Sequence, residues 1–121
     1  MSRIILGTIG PKSNPEERKY WNTLFQSLKL DALYDFYRTR DLRELELRLS
    51  EMFHLGRRGY AVENEELKRL ALPLMDVLDR SATAAGNVDT IVNEGGVLIG
   101  HYVKGNADAR LKLWTAIDKE R

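Results

Sequence analysis

The sequence predicts an α/β domain: a mixed, largely parallel sheet flanked by helices. Three observations carry this. Strand-like and helix-like segments alternate along the chain, which favours helices packed on a largely parallel sheet. One pair of β-rich runs is separated only by a short Gly-containing turn, the signature of a hairpin. No internal repeat or low-complexity tract interrupts the pattern, and the apolar faces together suffice for one core.

Arg3 to Thr8 is a compact apolar run whose end is marked by Gly7 and Gly10, and reads as a buried first strand. Asn14 then caps a helix, with Pro15 in the first helical position and Glu16 and Glu17 at its positive end. Trp21, Leu24, Phe25 and Leu28 share one face of it. Ala32 to Thr39, with Tyr34, Phe36 and Tyr37, is a second strand. Asp41 and Glu44 form a capping-box pattern before an apolar stripe of Leu42, Leu45, Leu49, Met52 and Phe53, which Gly56 stops. Gly59 to Val62 is a short third strand. Asn64 opens a helix whose inner face is Leu67, Leu70, Ala71, Leu74 and Leu78, bent at Pro73. Val88 to Val92, the turn Asn93-Glu94-Gly95-Gly96 and Val97 to Val103 make the hairpin. Asn106 caps a last helix with Leu113, Trp114 and Ile117 inward.

Composition narrows function. The 121 residues are 43% hydrophobic and 31% charged, with 19 basic and 18 acidic side chains and a formal net charge of +1. Such balance gives no reason to expect nucleic acid or an anionic membrane as partner. There is no cysteine, so disulfides, thiolate nucleophiles and cysteine metal sites are excluded, and a cytoplasmic location is expected. The N-terminal apolar stretch Ile4-Ile5-Leu6 is too short for a signal or a spanning segment. No G-x-G-x-x-G occurs. Gly100 and Gly105 have P-loop spacing, but Asn106 and Ala107 stand where Lys and Ser or Thr are required. His54 and His101 lack metal-ligand partners at a suitable spacing, so no metal is expected. The clusters Arg57-Arg58 and Arg38 to Arg43 read as solvated surface.

The run from Ala85 to Gly100, AGNVDTIVNEGGVLIG, resembles a passage of the shikimate dehydrogenases, where the chain reads close to G-A-V-N-T-I-V-N, a turn, L-I-G and then N-T-D-G. Gly59-Tyr60-Ala61-Val62 is similar to that family's G-F-N-V. Lys68 to Asp76 is similar to its catalytic lysine and following P-L-L-D. Leu6 to Gly10, and Asn22 to Phe25 with Leu30-Asp31, resemble its opening strand and first helix. The order is collinear over nearly the whole chain. The resemblance implies the family's N-terminal substrate-binding domain. A separate Rossmann domain bringing NADP follows it in the family; here the chain ends at Arg121, soon after Gly105. The expectation is one substrate-binding-like domain over residues 1–121, no nucleotide-binding domain, and no cofactor in this chain. NADP would enter only if a partner chain supplied the nucleotide domain.

The resemblance also locates a site. Family chemistry transfers a hydride between NADP and a small hydroxy acid, with a lysine and an aspartate handling the proton. Lys68 is the candidate lysine, although the family spacing needs one extra residue and otherwise selects Leu67. N-T-D-G becomes Tyr102-Val103-Lys104-Gly105, so Lys104 replaces the acid. A carboxylate accepts hydrogen bonds; an ammonium only donates. The ring-binding asparagine becomes Asp89, the asparagine of G-F-N-V becomes Ala61, and the next threonine becomes Glu63. Ser13, with Pro15, is the nearest counterpart of the first-loop serines. The substrate-binding positions are therefore Ser13, Glu63, Asp89, Tyr102 and Lys104, with altered types. Lys104 is expected to pair with Asp89 or Glu63. The expected function is small hydroxy-acid binding by a non-catalytic, regulatory or interaction domain, free-standing or as a homodimer. The alternative is the substrate half of a two-chain NADP-dependent shikimate or quinate dehydrogenase.

Overall fold

The computed structural model describes residues 3–119, with side chains through residue 116, so the inward side chain expected of Ile117 lies outside the described residues. In chain order the elements are β1 (Ile4–Gly10), α1 (Pro15–Ser27), β2 (Ala32–Arg38), α2 (Leu42–His54), β3 (Arg57–Val62), α3 (Glu65–Ala71), β4 (Val77–Leu78), α4 (Arg80–Ala85), β5 (Thr90–Glu94), β6 (Val97–His101) and α5 (Ala107–Lys119). The strands form one sheet in the order β2-β1-β3-β5-β6-β4. β1 runs parallel to both β2 and β3, and β4 parallel to β6. β5 is antiparallel to β3 and to β6. The sheet is mixed and mostly parallel, as the alternation of segments predicts.

Local chemistry explains most boundaries. Asn14 accepts hydrogen bonds from the N–H groups of Glu16 and Glu17 at 3.2 and 3.3 Å, and Pro15 starts α1. Asp41 accepts from the Glu44 N–H at 2.9 Å, while Glu44 reaches back to the Arg40 N–H at 2.8 Å. The reciprocal box thus closes one residue earlier than its usual form. Asn64 and Asn106 cap α3 and α5 through the N–H groups of Leu67 and Ala109. The hairpin turns on Gly95 and Gly96, with φ of 60° and 96°, a left-handed pair that suits the twist of two-residue connections.

Two expectations need correction. Pro73 does not bend a long helix; it sits in a 3₁₀ turn, Leu72–Leu74, that ends α3 at Ala71. Its missing N–H and ring make this stop natural. Leu78, expected on the helix face, belongs instead to the two-residue edge strand β4. Asp79 then opens α4 by accepting from the Ala82 N–H at 3.0 Å.

Strand alternation divides the core between the two faces of the sheet. Ile9, Tyr60, Val62 and Ile91 face α2, α3 and α4, meeting Leu45, Leu49, Met52, Leu67 and Ala82. Leu6, Ala61 and Val92 face α1 and α5, meeting Trp21, Phe25 and Trp114. Trp114 is fully buried, and its ring centroid lies 5.0 Å from that of Trp21. It rests directly on Gly59, where a Cβ would collide with the indole. Gly100, the first glycine of the P-loop-like spacing, is likewise a packing glycine beneath Val88, Met75 and Leu78. No helix among the described residues is long and apolar enough to cross a membrane.

Candidate functional site at the carboxyl ends of the parallel strands

In the β2-β1-β3 half of the sheet, the chain leaves β1 for α1 on one face and leaves β3 for α3 on the other. Open α/β sheets bind ligands at this kind of switch, outside the carboxyl ends of the strands. A cleft of about 310 Å³ lies there. Thr8 and Gly10 come from β1, Lys12 and Asn14 from the connection into α1, Glu17 from the first turn of α1, and Glu63 and Asn64 from the link between β3 and α3.

Hydrogen bonds order this cleft. The Thr8 hydroxyl donates to Glu17 Oε1 at 2.6 Å and is bonded to the Tyr34 phenol, which lies beneath it. Burial, then the Glu17 charge, hold the Tyr34 phenol well above its ordinary pKa, so it stays protonated and donates.

Below Glu63 lies a buried ionic cluster. Asp89 is 1% exposed. Its Oδ1 accepts from the Val103 N–H at 2.9 Å and the Thr90 hydroxyl at 3.1 Å, and its Oδ2 accepts from the Gly105 N–H at 2.7 Å. The Arg110 guanidinium, from α5, approaches Oδ2 at 3.6 Å. Arg110 is itself 2% exposed. It donates to Glu63 Oε1 at 2.5 Å, to the Asp89 carbonyl at 3.0 Å and to Thr90 Oγ1 at 3.0 Å. Every charge here is paired and hydrogen-bonded, the condition under which buried ions are tolerated.

The residues singled out from the sequence separate. Glu63 lines the cleft, and Asp89 lies under it with its carboxylate occupied. Lys68 is nearly buried, its side chain 12% exposed, and bonds Glu65 Oε2 at 2.9 Å. Desolvation opposes its charge. The Glu65 bond, with the charges of Glu65, Glu63 and Asp89, outweighs that and holds the ammonium above its ordinary pKa. Ser13, Tyr102 and Lys104 are not among the residues lining the cleft. The Tyr102 N–H donates to Ser81 Oγ at 2.9 Å. Lys104 is exposed in a left-handed turn, φ 55°, followed by Gly105 at φ 71°. The expected pairing of Lys104 with Asp89 or Glu63 is not made; Arg110 takes both acids. Sequence reasoning missed Arg110, and also Thr8, Lys12, Glu17 and Asn64. For Arg110 a signal existed: it lies four residues before Trp114, on the helix face that points inward. His101 Nδ1 meets Asp79 Oδ2 at 2.5 Å, and no cluster of His, Asp and Glu suited to a metal occurs among the described residues.

No family model matches the chain. The NADP(+) shikimate dehydrogenase of Chlorobium phaeovibrioides is 32% identical over 80 residues, covering 66% of this chain and 27% of that protein. That of Prosthecochloris aestuarii is 34% identical over 97 residues, covering 79% of this chain and 33% of its own length. Among solved structures, shikimate 5-dehydrogenase from Listeria monocytogenes, in complex with shikimate and NAD, superposes with a TM-score of 0.76 at 26% identity, over 94% of this chain and 39% of that one. The chain thus spans about a third of the length of the curated relatives it matches. Collinear sequence and shared topology together make this chain a shikimate dehydrogenase-like α/β domain.

Proposed function

We propose that this domain holds a small hydroxylated acid in the cleft between β1 and β3 and does not turn it over by itself. The observation that carries this reading is the state of the groups that would move a proton. Lys68 is held as an ammonium, and a general base must be able to lose its proton near the working pH. The family's acid is replaced by Lys104, and the Asp89 carboxylate does not stand in for it, being fully engaged by two backbone N–H groups, Thr90 and Arg110. Binding groups remain. Glu17, Glu63 and Asn64 offer acceptors and donors to ligand hydroxyls, and Lys12 offers a cation to a carboxylate. The test is a thermal-shift titration with shikimate and quinate, paired with an NADP reduction assay on the same preparation. A ligand that binds only the folded state raises the melting temperature with concentration. The reading expects such a rise and no reduction of NADP. Turnover by the chain alone, or no shift with either acid, contradicts it.

One observation favours the second reading, the substrate half of a two-chain NADP-dependent dehydrogenase. Lys68 does have an acid beside it, Glu65, where the sequence offered only Lys104 in place of the family's aspartate. A nucleotide-binding chain that co-purifies and restores turnover would establish this alternative; self-association alone would support the homodimer.

A further inference from the structure

The opposite end of the sheet holds a second cavity, of about 340 Å³, between the end of α2 and the β5–β6 turn. We infer that it binds a small anion, a carboxylate or phosphate carried on an apolar body, through Arg58. This inference stands apart from the cleft at the carboxyl ends of the parallel strands.

The backbone aims Arg58 there. Between β1 and β3, Ile5 faces Arg57 and Leu6 faces Gly59, so Arg58 is an extra residue in the ladder. Such bulges re-aim side chains. Arg57 bonds Glu51 of α2 at 2.6 Å, and Arg58, although next in sequence, lines a cavity with Met52 and Phe53 of the same helix. Both arginines thus address α2, against ordinary strand alternation.

Arg58 is partly buried, and one of its donors lacks a partner. Its Nη1 is buried and has no hydrogen-bond partner. Glu51, the acid on the adjoining helix, is already held by Arg48 and Arg57. Glu94, next to the turn, is exposed and does not line the cavity. No carboxylate lines it, so its one formal charge is positive. An unpaired buried donor is costly, and an anionic oxygen relieves it with a charge-assisted bond. The walls suit a ligand larger than a bare ion. Phe53 is 45% exposed at the rim, and Gly56, Gly95 and Gly96 contribute no side chains. Asn93 keeps the walls fixed: its amide donates to the Met52 and Arg57 carbonyls and accepts from the Gly96 N–H. The volume lies within the range of small-molecule sites.

The test is an amide NMR titration of the full chain with phenyl phosphate, benzoate and inorganic phosphate as separate probes. The proposal expects saturable shifts of the Gly56, Gly95 and Gly96 amides with at least one aryl anion, and the stronger of the two identifies phosphate or carboxylate as the favoured head. Arg58→Gln should weaken that binding by about tenfold or more. Phe53→Ala should weaken the aryl anions and leave inorganic phosphate unchanged; this variant decides the matter should Arg58→Gln fail to fold. Absence of shifts with all three probes, equal binding by folded Arg58→Gln, or shifts confined to Thr8 and Glu63 would overturn it.

Discussion

The β5–β6 hairpin carries a buried polar residue at each end, and the two are accommodated differently. At the turn, Asn93 is neutral and satisfies itself with three backbone groups: the carbonyls of Met52 and Arg57 and the N–H of Gly96. At the open end, Asp89 is an acid buried among backbone N–H groups, and its charge is met by Arg110, twenty-one residues further along and on another helix. A buried amide asks only for hydrogen bonds; a buried ion also asks for a counter-charge. Both ends are tied to distant segments, 41 and 36 residues away at the turn and 21 at the open end. The difference is that the turn needs only backbone partners, and its own bend is set locally by Gly95 and Gly96, whereas the open end, which adjoins the candidate site, needs a side chain of opposite charge.

Removing the counter-charge is the harshest way to test that contrast. Arg110→Met should cost about 3–5 kcal/mol, because it strands Asp89 and leaves Glu63 unpaired. Urea denaturation at neutral pH measures it. Asn93→Ala should cost less, about 1–3 kcal/mol, since it leaves two carbonyls and one N–H to find other partners but strands no charge; the same denaturation reads it.

Acid sharpens the comparison. Asp79, at the open end, bonds Ser81, the Ala82 N–H and His101. Burial pushes its carboxyl up, but these bonds and the imidazole outweigh burial and hold its pKa below the ordinary value. A depressed carboxyl stabilises the fold above its unfolded pKa of about 3.9, and that contribution is lost as pH falls through the lower, folded value. Asp79→Asn should thus cost about 0.5–1 kcal/mol at pH 7, with the difference shrinking toward zero in strong acid. The cost of Asn93→Ala should not change with pH over the same window, because no titrating group takes part in its bonds. Smallest of all is Glu65→Ala. Its pair with Lys68 is exposed on the acid side, so stability should change by less than about 0.5 kcal/mol, while NMR titration of Lys68 should show its pKa fall.

The same contrast marks what could be read from the sequence. The turn end was legible: Asn93-Glu94-Gly95-Gly96 names its own conformation, as the caps Asn14, Asp41 and Asn64 name their helices. The length of α3 was not, because Pro73 within an apolar stripe is compatible with a bend or a stop, and only packing decides. β4 is two residues long and makes no periodic signal. At the site, the substitutions to Asp89, Glu63 and Lys104 were visible, and so was the need for a cation. Its identity was less legible: Lys104 stands where the resemblance places the family's acid, but its left-handed turn leaves it exposed, while Arg110 shares the inward face of α5 with Trp114, a signal that lies outside the family's motif positions.

Arg110 is what permits a charged residue at position 89. A double-mutant cycle between Arg110→Met and Asp89→Asn, followed by denaturant unfolding, tests it most directly. Asp89→Asn should remove much of the Arg110→Met penalty, with an interaction energy of about 1.5 kcal/mol or more. Losses that add within about 0.5 kcal/mol would contradict it.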